Sequence, residues 1–174
     1  MLSGALILLI GWSFGGVVAF EIGCLMVKEG FDVRGVILVD VPCPTDDVPL
    51  STTLLDHIII QRDPSRSETE ATRTIKEQFR KNSALLKKHP PSFDGPYPQI
   101  AFLRSREGVK VESGSMREKL PIWLTDREEP ETTIGGWEML LKRKLKWWDV
   151  PGNHFQPFML ENVSAPEFFR VFFH

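Results

Sequence analysis

Gly11-Trp12-Ser13-Phe14-Gly15-Gly16 is the stretch that decides the fold. Before it, residues 4–10 (GALILLI) are apolar apart from glycine and read as a buried strand. Behind it, residues 17–27 (VVAFEIGCLMV) read as a helix. A serine with glycine two places away on either side, between a strand and a helix, is the pattern of a sharp turn that lifts a nucleophile above a sheet edge. Small residues let the backbone fold tightly under such a serine. The positive end of the following helix would then lie beneath a developing oxyanion. The same residues also allow a glycine-rich turn with a structural serine, so the rest of the chain must decide.

Working outward, residues 35–40 (GVILVD) form a second apolar, β-branched run, and Gly30 stops the intervening helix. Strand, helix and strand in so short a span make a βαβ unit, hence a parallel sheet with a right-handed crossover. Residues 5–10 read as its central strand. Asp40 closes the second strand, and Pro42 and Pro44 forbid continuation. Ligand sites in such sheets lie at the carboxyl ends of strands, which puts Ser13 and Asp40 on one rim. Asp40 is either a polar strand end or the carboxylate that orients a histidine.

Residues 51–60 begin a helix, and residues 68–88 make an amphipathic one with Ile75, Phe79, Leu85 and Leu86 on its apolar side. This pair is either a lid above the rim or an ordinary connection. Strand character returns at 98–104 and at 145–150, with a short helix expected at 136–141 and a terminal one near Pro166. Pro151-Gly152-Asn153-His154-Phe155 follows the last strand as a turn that presents His154. His57 reads as core or lid, His89 as a helix end and His174 as a terminal residue. A serine hydroxyl needs a neutral imidazole to take its proton and a carboxylate to fix the imidazole tautomer. Ser13, Asp40 and His154 supply nucleophile, acid and base in that chain order.

Composition bounds the alternatives. The 174 residues suit one domain with a sizeable core, and a net charge of -2 offers no basic excess for nucleic acid. Lys142-Arg143-Lys144 reads as solvated surface, and residues 126–131 (DREEPE) as a solvated acidic patch without the histidines a metal site would need. Cys24 and Cys43 allow a disulfide without indicating one; a reducing, cytoplasmic location fits equally. The first charged residue is Glu21, so hydropathy alone would flag residues 2–20 as a membrane span or signal peptide. The interrupting glycines and the lack of a positive leader favour a strand and helix inside an α/β core.

With these motifs in place, the chain resembles the thioesterase domain of multidomain polyketide synthases, most closely the fungal non-reducing type. Residues 11–21 (GWSFGGVVAFE) look like that family's nucleophile segment, which commonly has alanine where Phe14 stands. Residues 35–44 (GVILVDVPCP) look like its next strand and proline loop, the strand that carries the family's aspartate. Gly136-Trp137-Glu138 and residues 151–155 look like its C-terminal motifs. The resemblance implies an α/β-hydrolase fold: the C-terminal part of a mostly parallel sheet, in one partial domain over 1–174, with a helical lid insertion at about 50–92. It implies that Ser13 accepts an acyl chain from the phosphopantetheine thioester of an acyl carrier domain, with His154 as base and Asp40 holding it. The Phe14 N–H would be one oxyanion donor. The implied partners are a carrier domain or polyketide synthase modules and a polyketide thioester, with no resident cofactor or metal. Release would be by water, an internal hydroxyl, or a Claisen-type attack by carbon. Full domains of this family carry several strands ahead of the nucleophile strand, whereas ten residues precede Gly11 here. An unprotected apolar edge and a missing second oxyanion donor are therefore expected. Three readings stand: an acyl-thioester hydrolase or cyclase, an impaired remnant that binds acyl chains or a partner, and a general esterase.

Overall fold

A computed structural model describes residues 6–45, 54, 69–88, 96–110 and 121–163. The first strand, β1 (Ile7–Trp12), runs into helix α1 (Phe14–Lys28) and returns as β2 (Val33–Val39). Then come α2 (Glu70–Lys88), β3 (Ile100–Ser105), the short α3 (Ile122–Thr125), α4 (Glu131–Leu141), β4 (Lys146–Val150) and the short α5 (Leu160–Val163). The four strands form one parallel sheet in the order β1-β2-β3-β4. Parallel strands need crossover connections, and helices supply them here, with α2 as a helical insertion between β2 and β3. This is an α/β-hydrolase-like core.

The α1 helix ends as its glycine predicts. Gly30 adopts φ 85°. Its N–H reaches the Val27 carbonyl at 3.0 Å and the Phe31 N–H reaches Met26 at 2.9 Å, the two bonds of a Schellman motif. At the start of α2, Thr69 Oγ1 accepts from the Thr72 N–H at 3.2 Å, so the helix is capped at Thr69.

The sheet packs on both faces. Val36 and Leu38 of β2, with Ile100 and Phe102 of β3, meet Val17 and Phe20 of α1 and Ile134 and Trp137 of α4. The Trp137 indole N–H also donates to the Val41 carbonyl at 2.9 Å, tying α4 to the loop after β2. On the other face Ile37, Val39, Leu103 and Val150 cluster with Trp12 and Trp148.

Two expectations need correction. The run read as a buried central strand is an edge strand among the described residues: β1 pairs with β2 only, and Leu8 and Ile10 are 48% and 50% exposed. Leu6, and Val18, Ile22 and Leu25 on α1, are also exposed. In α2, Phe79 and Leu86 are half-buried while Ile75 and Leu85 stay exposed, so half of the expected apolar side is covered. The remainder of the insertion, His57, His89, His174 and the terminal helix near Pro166 lie outside the described residues.

Candidate active site

The turn after β1 holds Ser13 at φ 52° and ψ −132°, a backbone conformation that a residue with a Cβ adopts only where its surroundings fix it. Those surroundings are visible. The Ser13 N–H donates to Val39 of β2 at 3.2 Å, and its carbonyl accepts from the Gly16 N–H at 2.9 Å. A Cβ on Gly11 would run into the Gly15 carbonyl, and one on Gly16 would run into the Val41 side chain. A Cβ on Gly15 would face open space, with nothing within 4 Å. The steric demand therefore falls on Gly11 and Gly16, not on the Gly11–Gly15 pair that the motif suggests. The Ser13 side chain makes no capping bond to α1, which leaves its hydroxyl for the rim.

Asp40 follows β2 directly, with φ 48° and its N–H bonded to Leu103 at 2.7 Å. Its carboxylate is wholly buried. Oδ1 accepts from the Ser105 N–H at 2.9 Å and from Arg127 Nη1 at 2.8 Å. Oδ2 accepts from Arg127 Nη2 at 2.9 Å and lies 2.8 Å from His154 Nδ1. Burial alone would push this carboxyl up. The hydrogen bond and charge of His154, joined by those of Arg127, outweigh it and hold Asp40 below the ordinary carboxylate value.

His154 sits in the loop after β4, wholly buried. Its Nε2 is 3.0 Å from Ser13 Oγ. The Trp12 indole N–H donates to the His154 carbonyl at 2.9 Å, so the residue before the serine clamps the histidine loop. The rings of Trp12, Trp123 and Phe155 lie about the imidazole at centroid distances of 5.3, 5.1 and 4.9 Å. The tautomer follows from the donors. An ionised Asp40 can only accept, so Nδ1 carries the proton and Nε2 is left to accept from the Ser13 hydroxyl. The arrangement can deprotonate a serine and hold the resulting imidazolium against a carboxylate.

The structure thus brings Ser13, Asp40 and His154 together from three separate turns. Phe14 is the first residue of α1, so its N–H is among those that a helix leaves without an intrahelical partner. Arg127 is the residue that sequence reasoning missed. It belongs to the stretch read as a solvated acidic patch; Glu128, Glu129 and Glu131 are exposed, but Arg127 is buried on Asp40. The basic run also splits: Lys142 and Lys144 are exposed, while half-buried Arg143 stacks on Tyr97 at 4.6 Å and donates to the Pro98 carbonyl. Cys24 and Cys43 form no disulfide, no cluster among the described residues could hold a metal, and no described helix is long and apolar enough to cross a membrane.

Comparison with known proteins gives the site its family. A family model described as "Thioesterase domain" matches residues 7–171. The chain is 31% identical over 184 aligned residues to an orsellinic acid synthase of Beauveria bassiana, covering 89% of this chain and 8% of that protein. It is 29% identical to the thioesterase AMT4 of Alternaria alternata, covering 91% of this chain and 57% of that one. It therefore spans a small fraction of the synthases and just over half of the thioesterase. Among solved structures, the NocB thioesterase domain from the nocardicin cluster superposes with a TM-score of 0.58 at 22% identity, over 96% of this chain and 64% of that one. Fold, sequence and the geometry of the rim agree: the chain belongs to the thioesterase-domain family of the α/β-hydrolase superfamily.

Proposed function

We propose that this chain releases a polyketide acyl group from an acyl carrier domain through an acyl-Ser13 intermediate. The observation that carries the reading is the buried relay from Ser13 Oγ to His154 Nε2 at 3.0 Å and from His154 Nδ1 to Asp40 at 2.8 Å. The similarity to a fungal orsellinic acid synthase supports a polyketide substrate and a synthase or carrier domain as partner. A cytoplasmic setting fits two cysteines that form no disulfide.

In the first half-reaction Ser13 Oγ attacks the thioester carbon as its proton passes to His154 Nε2. The oxyanion forms beside the N-terminus of α1, where the Phe14 N–H is one donor. The C–S bond breaks, and His154 returns the proton to the departing phosphopantetheine thiol. In the second, His154 takes a proton from water, an internal hydroxyl or an acidic carbon of the chain, that nucleophile attacks the acyl carbon, and the C–O bond to Ser13 breaks as His154 Nε2 returns the proton to Ser13 Oγ. Asp40 stays ionised throughout and stabilises the imidazolium. Phe79 of α2 meets Phe155, beside His154, at a ring-centroid distance of 6.3 Å, which supports a lid role for the insertion.

Intact-mass analysis after exposure to a fluorophosphonate or an activated acyl thioester tests the reading. One stoichiometric adduct is expected on the wild-type chain and none on Ser13→Ala. An adduct retained in the variant overturns the nucleophile assignment. The exposed apolar side chains of β1 and α1 favour a second reading, an impaired thioesterase that binds an acyl chain or a partner. A folded wild-type chain that takes no adduct would select it.

A further inference from the structure

We propose that Arg127 is a positioning residue of the triad: its guanidinium fork fixes both oxygens of Asp40 and offsets the carboxylate's charge, so that one acceptor direction is left for His154. The proposal rests on the catalytic reading of Ser13 and His154. Its first support is a count of donors. A carboxylate has about four acceptor directions. Two are filled by the parallel Arg127 bonds at 2.8 and 2.9 Å and a third by the Ser105 N–H at 2.9 Å. The fourth is the 2.8 Å contact with His154 Nδ1. Arginine and a backbone N–H are obligate donors, so among these partners a proton on Asp40 would find an acceptor only at His154 Nδ1. Rotation of the carboxylate would break at least two bonds at once.

The second support is the way Arg127 itself is held. Thr133 Oγ1, in the first turn of α4, lies 3.3 Å from Nη1. Arg104 of β3 donates to the Arg127 carbonyl at 3.3 Å, while its own guanidinium forms a bidentate pair with Asp149 of β4. Arg127 Nε is buried with no hydrogen-bond partner. A guanidinium placed for its own satisfaction, or a buried ion pair kept only for stability, is a poor account of this geometry, because burial of such a pair costs about as much as its attraction returns. A fork that orients a carboxylate explains it.

The consequence is a pH dependence with a defined sign. Among the described residues, the charged side chain that faces the His154–Asp40 pair is Arg127. Ser13 and Trp12 face it from the elbow and Trp123 from α3, β3 offers Ser105, and Arg104 and Asp149 reach it only through the Arg127 carbonyl. Without the Arg127 charge, Asp40 either holds a proton on His154 more tightly or takes one itself. Both outcomes keep the base unavailable up to a higher pH.

The test is the full chain as wild type, Arg127→Gln and Arg127→Lys, with two readouts. The first is the rate of fluorophosphonate labelling of Ser13 across pH. The second is the His154 ring signal in chain labelled with 15N-histidine, assigned by its loss in His154→Gln. Arg127→Gln is expected to slow labelling about 10–100-fold. It should also move the acid limb of the profile and the ring titration to higher pH by about one unit. Arg127→Lys keeps the charge and loses the fork, so it should label slowly with the limb in place. A folded Arg127→Gln with the wild-type rate and limb overturns the proposal. If Arg127→Gln does not fold, Arg127→Lys decides: slow labelling at an unmoved limb supports the proposal and a wild-type rate overturns it. If the wild-type chain takes no label, the catalytic reading falls. The ring signal then decides alone, a shift between wild type and either variant supporting the Arg127 contact and an unchanged signal overturning it.

Discussion

The two ends of β1's surroundings differ sharply. At the carboxyl end every polar group that matters is enclosed: Asp40 and His154 are wholly buried and Ser13 nearly so. The hydrogen bonds there run without a gap from Arg127 through Asp40 and His154 to Ser13. Along its body the same strand leaves Leu8 and Ile10 half exposed, and α1 leaves Leu25 58% exposed. The rim is built from the ends of β1, β2, β3 and β4 and from the Arg127 loop, all on one side of the nucleophile strand. Among the described residues the other side of β1 is a sheet edge. The described partners of the triad all lie on the first side, and substitutions in the two regions should differ by orders of magnitude.

Asp40→Asn carries the largest expected effect. The amide cannot hold the required imidazole tautomer, and labelling of Ser13 should slow about 10⁴-fold. It also leaves Arg127 buried without its anion, which costs about 3–5 kcal/mol in stability at neutral pH. The wild-type pH dependence has a fixed sign. Burial raises the Asp40 carboxyl, but His154 and Arg127 lower it by more, so its native value lies below the unfolded one. Its contribution is complete above the ordinary carboxylate range and is lost as pH falls from about 4 toward the lowered native value. Urea melts between neutrality and acid should show that loss in wild type and a flatter dependence in Asp40→Asn. Equal slopes would mean that Asp40 does not carry the charge of the rim.

The elbow gives the next effect, and it separates two adjacent glycines. Gly16→Ala drives a methyl into the Val41 side chain and towards the Gly11 carbonyl, and should destabilise by about 1–3 kcal/mol. Gly15→Ala places the same methyl in open space on a helix and should be neutral or stabilising by about 0.5–1 kcal/mol. Thermal melts of both variants check the contrast; a larger loss at Gly15 would show that the turn is built differently.

These residues also show what a sequence can and cannot carry. Ser13, Asp40 and His154 were legible because each follows the carboxyl end of a strand, and in a parallel sheet all strand ends of one kind share a rim. The Gly30 stop of α1 was legible because it depends on local backbone geometry alone. Arg127 was not, because one cation among exposed acids has the signature of surface. Its burial is decided by a loop that returns to Asp40 from far along the chain. The position of β1 was illegible for a related reason. An apolar run reports that a strand prefers burial, not which neighbours are there to bury it.

The smallest expected effect lies on the open side, and it is the sharpest check on the comparison. Leu8→Thr keeps a strand-favouring residue and Leu25→Gln keeps a helix-favouring one, so neither disturbs the backbone. Both side chains are about half exposed or more, so the double variant should unfold within about 0.5 kcal/mol of wild type and label Ser13 at the wild-type rate. Replacing apolar groups beside an unpaired strand edge should also reduce self-association, read by light scattering. If the double variant instead loses about 2 kcal/mol or more, these side chains are covered in solution, since full burial of a leucine contributes about that much. If it keeps its stability but loses labelling, the rim depends on β1's outer side after all, and the independence of the two regions fails.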